Sequence, residues 1–265
     1  MRLTVIGCSG STSGPASPSS CYLVQAEGPD GFGGTRTWSV VLDLGSGAFG
    51  GLLEHVEPAE IDAVALTHLH ADHVVDVAGL HVYLRYHPQG PRGPVRVLGP
   101  EGTDERIRDL VMAGDDEPVT EQLAIEEWPP GGAVQVGPLR LEAAAVRHPV
   151  PAVGIRVTGP REGVGDAGDA VLLYTGDTDS CPGVEALADG ADVLLAEAAF
   201  EENRESVRGI HLTGRRAGEL AQGRAGRLVL THLPPWTRPE VVRAEAEAVF
   251  DGPIDMAEPG ATWEL

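Results

Sequence analysis

Short apolar runs broken by Gly-, Pro- and Ser-rich stretches set the rhythm of this chain. Residues 3–6, 21–26 and 39–43 read as strands joined by turn-rich loops, and residues 49–55 as a short helix. The run Ala63-Val64-Ala65-Leu66 follows, and the pattern after it predicts one helix from Asp72 to about Tyr86, ended ahead of Pro88. Beyond that, strands are expected at 95–98, 123–126, 133–136, 139–145, 153–157, 170–174, 193–196 and 227–230. Helices are expected at 104–112, 183–188, 214–222 and 239–250, with a tail strand last. Several strands in each half with helices between them predict an α/β chain, a two-sheet sandwich covered by helices.

Composition narrows the class. The 265 residues, 42% hydrophobic and 5% aromatic, suffice for a substantial core, and no linker divides them, so 1–265 is expected to be a single domain. No apolar run approaches the roughly 20 residues that span a bilayer. The apolar start Leu3-Thr4-Val5-Ile6 is too short for a signal peptide, so a cytoplasmic protein without membrane contact is expected. Cys8, Cys21 and Cys181 lie far apart without CxxC spacing, which suggests neither a disulfide framework nor a thiolate metal site.

Charge narrows the partners. All 19 basic residues are Arg, and the formal net charge is −21. Such a field repels a polyanion, so nucleic acid would need a local basic patch to bind. The one candidate, Arg204, Arg208, Arg215, Arg216, Arg224 and Arg227, is interleaved with Glu201, Glu202, Glu205 and Glu219 and reads as a solvated helical face.

The candidate chemistry is concentrated in Thr67-His68-Leu69-His70-Ala71-Asp72-His73, directly after an apolar run and before a helical pattern. A lone histidine in such a place is usually a packed or solvated residue, but packing gives no reason to gather three imidazoles and a carboxylate. At a strand end His68 and His70 project to the same side and reach one ion. Asp72 and His73 sit where the chain turns into a helix and reach a second ion nearby. His148, Asp177 and His232 each stand just past an apolar strand, where sites in α/β folds gather, and together they complete two sets of ligands. Imidazoles and carboxylates suit zinc, with manganese or iron as alternatives.

Two loops flank this motif. Residues 9–20 carry seven Ser and Thr with Gly10, Gly14, Pro15 and Pro18, which suits either a phosphate contact or a polar surface loop. The glycines of Asp43-Leu44-Gly45-Ser46-Gly47 let the backbone pass close to a site.

His68-x-His70-x-Asp72-His73, followed by His148, Asp177 and His232, resembles the metallo-β-lactamase superfamily over essentially the whole chain. The resemblance implies an αββα sandwich of two mixed sheets with two divalent metal ions between the sheet edges. His68, His70 and His148 would hold one ion, Asp72, His73 and His232 the other, and Asp177 would bridge them.

Tyr174-Thr175-Gly176-Asp177-Thr178, Leu194-Leu195-Ala196-Glu197-Ala198 and His211-Leu212-Thr213 are similar to the tRNase Z branch, where such a Glu and His form a dyad beside the metals. That carries over to Glu197 and His211, which with Asp72 make the expected catalytic set. A carboxylate that orients and charges an imidazole equips it to protonate a leaving oxygen. The plainer alternatives are a strand-end carboxylate in a surface ion pair and a loop histidine before an N-cap at Thr213.

The branch's long basic arm is absent: 28 residues separate His148 from Asp177, and the loop 159–166 is short and mixed in charge. The opening Gly7-Cys8-Ser9-Gly10-Ser11, the segment Tyr83-Leu84-Arg85-Tyr86-His87-Pro88 and the run Thr231-His232-Leu233-Pro234-Pro235-Trp236-Thr237 look like the atypical class II cyclic-nucleotide phosphodiesterases of actinobacteria. The expected function is therefore a dinuclear phosphodiesterase that hydrolyses a 3′,5′-cyclic nucleotide, cyclic AMP to 5′-AMP, through a metal-bridging hydroxide. An RNA 3′-processing nuclease, another hydrolase of the fold and a non-catalytic carrier are the alternatives. The resemblance also implies a homodimer. His55, His81 and His87 stand outside the expected site.

Overall fold

Most of the strands are apolar on both faces, and the fold buries both. In the computed structural model, which describes residues 1–112, 114, 118–128, 131–162 and 168–265, the chain forms two seven-stranded mixed sheets packed face to face. The first is built from β1 (Arg2–Gly7), β2 (Cys21–Pro29), β3 (Thr35–Leu42), β4 (Ala63–Ala65), β5 (Val95–Gly99) and β6 (Leu123–Glu127). The second takes β7 (Ala133–Val136), β8 (Leu139–Ala145), β9 (Val153–Pro160), β10 (Asp169–Tyr174), β11 (Ala191–Glu197), β12 (Ala225–Thr231) and β13 (Ile254–Met256). The last strand, β14 (Thr262–Glu264), returns to the first sheet beside β1.

Alternation along each strand sorts side chains into three layers of core. Val40, Leu42, Ala63, Ala65, Leu172, Tyr174, Val193, Leu195 and Val229 point between the sheets. Their neighbours Val41, Val64 and Leu66 pack under α1 (Ala48–Leu52), α2 (Ala71–Val74), α3 (Val77–Arg85) and α4 (Thr103–Leu110). Leu173, Leu194, Leu228 and Leu230 pack under α5 (Pro182–Ala188), α6 (Gly214–Ala221) and α7 (Pro239–Glu247). This is the αββα arrangement, as expected. No helix among the described residues is long and apolar enough to cross a membrane.

Several details differ from the expectation. The helix expected from Asp72 to Tyr86 is two helices, α2 and α3, because the loop after β3 takes its hydrogen bonds. Leu44 N donates to His73 O at 2.8 Å and Asp76 N donates to Leu44 O at 3.1 Å, so the helical ladder is interrupted between them. The tail holds two strands, one in each sheet, where one was expected. β2 and β3 run further than expected because their outer ends pair as a hairpin, with Pro29 opposite Thr35.

The arginine cluster is not one helical face. Arg204 and Arg208 lie in a loop, Arg227 lies in β12, and Arg216 is buried against Asp179. Arg204, Arg208 and Arg215 pair with Glu201, Glu202 and Glu219. Part of the loop 159–166, residues 163–166, lies outside the described residues.

Leu98 of β5 is completely buried between the sheets. Leu98→Ala should cost about 2–5 kcal/mol of unfolding free energy through lost transfer energy and a residual cavity. Urea denaturation reads this as a lower midpoint at unchanged slope, and an unchanged midpoint would contradict the layer assignment.

Candidate metal centre

Strand ends from both sheets meet at one edge of the sandwich. β4 leads into Thr67-His68-Leu69-His70; His70 caps α2 in an extended conformation, and Asp72 and His73 sit in that helix. On the facing sheet β10, β11 and β12 run parallel and in register, with Tyr174 opposite Leu195 and Glu197 opposite Thr231. Asp177, Glu197 and His232 therefore arrive together, as side chains at the carboxyl ends of adjacent parallel strands do.

Two backbone features allow this crowding. Gly176 has φ +56°, and a Cβ there would lie 2.8 Å from the Cβ of Thr67, so only glycine turns Asp177 inward at this point. Gly45 passes so close to Asp72 that a Cβ would run into the Asp72 carbonyl, which is the close approach its loop suggested.

The side chains gather in three overlapping groups, in each of which one potential ligand atom per residue lies within 4.8 Å of the others. The first is His68, His70, His148 and Asp177; the second Asp72, His73, Asp177 and His232; the third Asp177, Glu197 and His211. Asp177 belongs to all three. All the residues singled out from the sequence for metal binding or catalysis fall within these groups, and His55, His81 and His87 fall outside them.

The donor set fits a pair of cations. Nε2 of His68 lies 3.0 Å from Nδ1 of His70, which is 3.2 Å from Nε2 of His148. Imidazoles that converge this tightly direct ligand atoms at one point. In the second group Nε2 of His73, Nε2 of His232 and Oδ1 of Asp177 are buried without a hydrogen-bond partner among the described residues. The outer nitrogens, by contrast, are engaged. His73 Nδ1 donates to Asp43 Oδ2 at 2.7 Å, and His148 Nδ1 donates to Ile210 O at 3.0 Å. His68 Nδ1 pairs with Thr67 Oγ1 at 3.1 Å and His232 Nδ1 with Ser20 Oγ at 2.9 Å. Such outer bonds select the tautomer whose inner nitrogen binds metal.

Electrostatics divides the imidazoles. Burial, reinforced by His73, pushes His68 well below its ordinary pKa, and burial also lowers His70 and His148, which leaves them in the neutral form that ligates. His73 is held well above its ordinary value despite burial, because Asp177 and Asp43 flank it. Burial also works against His211, but the Glu197 carboxylate, 2.9 Å from Nδ1, raises it to about 9. Glu197 is oriented in turn by the N–H groups of Thr178 at 2.9 Å and Ala199 at 3.1 Å.

The sequence reading missed Asp43. Fully buried and with φ +55°, it accepts from Thr67 N at 2.7 Å, Thr67 Oγ1 at 2.8 Å, His73 Nδ1 at 2.7 Å and Tyr174 Oη at 2.8 Å. Its signal was available: it is a carboxylate just past the apolar run Val40-Val41-Leu42, the same pattern that singled out Asp177. The residues 9–20 also resolve. Ser9, Ser13 and Ser17 hydroxyls bond to carbonyls of Thr12, Ser46 and Pro18, while Ser20 supports His232.

An αββα sandwich whose strand ends gather six histidines and three carboxylates, with ligand atoms placed for two cations, defines a metal-dependent hydrolase. The chain belongs to the beta-lactamase superfamily, whose domain model matches residues 40–233. It is 40% identical to an uncharacterized protein of Mycobacterium leprae, across 100% of this chain and 89% of that one. It is 27% identical to the probable metallo-hydrolase YhfI of Bacillus subtilis across the full length of both. The crystal structure of YhfI superimposes with a TM-score of 0.82, covering 100% of this chain and 99% of that one at 25% identity. A ribonuclease Z of Myxococcus xanthus is 29% identical over 85% of this chain and 88% of its own. These relatives place the chain with the tRNase Z-like members of the superfamily.

Asp43→Asn keeps the shape but cannot accept from four donors as a carboxylate does. It should weaken metal binding about 10- to 100-fold, as removal of an outer partner typically does. Competition against a chromophoric chelator measures this, and unchanged affinity would contradict the role given to Asp43.

Proposed function

We propose that residues 1–265 act as a single phosphodiesterase domain that hydrolyses a 3′,5′-cyclic nucleotide, cyclic AMP to 5′-AMP. In this reading His68, His70 and His148 would hold one divalent cation, Asp72, His73 and His232 would hold the other, and Asp177 would serve both. Zinc suits the donor set best. When bound, such a pair neutralises phosphate oxygens and lowers the pKa of water so that hydroxide is available at neutral pH.

The observation that carries the reading is the Glu197–His211 pair. It lies beside the shared carboxylate, with His211 Nδ1 3.9 Å from Asp177 Oδ2. Hydrolysis of a phosphodiester with an alkoxide leaving group needs a proton at the departing oxygen. His211 is protonated below about 9 and keeps Nε2 free of the Glu197 contact. As hydroxide bonds to phosphorus and the bond from phosphorus to O3′ breaks, His211 gives its proton to O3′, leaving a 3′-hydroxyl and the 5′-monophosphate. Hydrolysis of a β-lactam or thioester would leave this pair without such a task.

A small substrate fits the rest of the chain. The net charge of −21 opposes a long polyanion. Only 28 residues separate His148 from Asp177, and β9 and β10 take up half of them as an antiparallel pair. The ribonuclease Z relatives favour a second reading, RNA 3′ processing at the same site.

Metal-loaded protein should convert cyclic AMP to 5′-AMP and leave a 3′-extended tRNA precursor intact; cleavage of the tRNA alone would overturn the small-substrate reading. His211→Ala should lower kcat by about 10²–10⁴, the usual worth of general acid catalysis, at unchanged metal content. Wild-type turnover in that variant would remove His211 from the mechanism.

The pH profile gives the sign of the Glu197 effect. Because the carboxylate raises the His211 pKa, the protonated acid persists up to about 9 and is lost as pH rises through that value. Glu197→Gln should therefore move the alkaline limb of kcat to lower pH. A limb that stays in place would contradict the pairing.

A further inference from the structure

Asp179 and Arg216 form a buried ion pair that the two metal groups do not include, with exposures of 3% and 6%. Both grip the segment that carries His211. Asp179 Oδ2 accepts from Gly209 N at 2.6 Å, while its Oδ1 accepts from Ser180 N at 2.8 Å and from Arg216. The same Arg216 Nη1 donates to His211 O at 2.9 Å, and Arg216 Nε reaches Thr213 Oγ1 at 3.3 Å. Between these anchors Ile210 O accepts from His148 Nδ1. Residues 209, 210 and 211 are thus each tied at the backbone, and the ring of His211 is tied by Glu197.

Three consecutive residues serve three neighbouring tasks. Asp177 is shared by the metal groups, Thr178 N orients Glu197, and Asp179 anchors the loop of His211. A buried ion pair is a weak net stabiliser, because desolvation offsets most of its Coulomb gain, and apolar side chains fill such a space as well. Apolar side chains would not supply directed bonds to Gly209 N and His211 O.

We propose that the Asp179–Arg216 pair is a positioning device for the proton donor, fixing the backbone of His211 so that its ring meets the leaving oxygen. This rests on the reading of His211 as that donor. Positioning errors of about 1 Å cost on the order of 10² in rate, which sets the scale of the effect.

The test compares two phosphodiesters in the metal-loaded enzyme. Cyclic AMP has an alkoxide leaving group that needs a proton, whereas bis(p-nitrophenyl) phosphate releases p-nitrophenolate without one. Arg216→Lys keeps the charge but lacks the planar fork that reaches Asp179, Thr213 and His211 O together. The pair D179N/R216M removes both buried charges at once and guards against a variant that fails to fold. Both should lower kcat on cyclic AMP about 10²-fold. Turnover of the aryl ester and metal content should stay near wild type. In the H211A background R216K should add no further loss on cyclic AMP, because the two residues act as a unit.

Equal losses on both substrates would overturn the proposal, since a merely structural pair acts that way. Wild-type cyclic AMP turnover in R216K and D179N/R216M, with H211A impaired on that substrate alone, would overturn it while sparing His211 as the acid. Equal losses on both substrates in H211A itself would instead overturn the reading on which the proposal rests.

Discussion

A carboxylate stays ionised in a protein interior only where positive charge or strong donors replace its water. Asp177 meets that constraint through His73 and His232, within a ring of four imidazoles. Its oxygens lie 3.3 Å from His73 Nε2, 3.3 Å from His232 Nε2, 3.7 Å from His68 Nε2 and 3.9 Å from His211 Nδ1. Despite burial, His232 and His73 hold it well below the usual carboxylate range. The same geometry that charges Asp177 makes it the common member of all three groups of potential ligands and the neighbour of His211.

The fold exists in the form that serves this carboxylate. Two sheets bring ligands from opposite sides, and the interruption between α2 and α3 is part of the same arrangement. Leu44 draws bonds from the helical segment, which seats the loop after β3 beside Asp72 and His73 and brings Asp43 under the ring of His73. Asp43 then links the ends of β3, β4 and β10 through Thr67 and Tyr174. Both Asp43 and His232 sit at positive φ, a conformation that costs energy away from glycine and is tolerated here because the surrounding bonds fix it.

What the sequence made legible was whatever is local. The gathering of His68, His70, Asp72 and His73 has no packing explanation, and the strand-ending positions of His148, Asp177 and His232 follow from apolar runs beside them. The two-sheet sandwich covered by helices was legible from the succession of strands in each half with helices between them, and the resemblance carried by the histidine motif named it as αββα. What escaped was non-local. Nothing near Val75 or Asp76 in the chain announces that Leu44 will divide the helix. Arg216, amid Arg215 and Glu219, has the pattern of a solvated helix and is buried only because Asp179 of another segment meets it. Asp43 gave the same signal as Asp177, but its partner His73 lies 30 residues on.

The account stands or falls on two cations sharing Asp177. Calorimetric titration of metal-free protein with zinc, checked by elemental analysis of the loaded chain, should give two ions per chain. In Asp177→Ala, binding at both sites should weaken together, because the shared ligand is gone. A single ion per chain, or an Asp177→Ala protein that still binds two with unchanged affinity, would contradict the account.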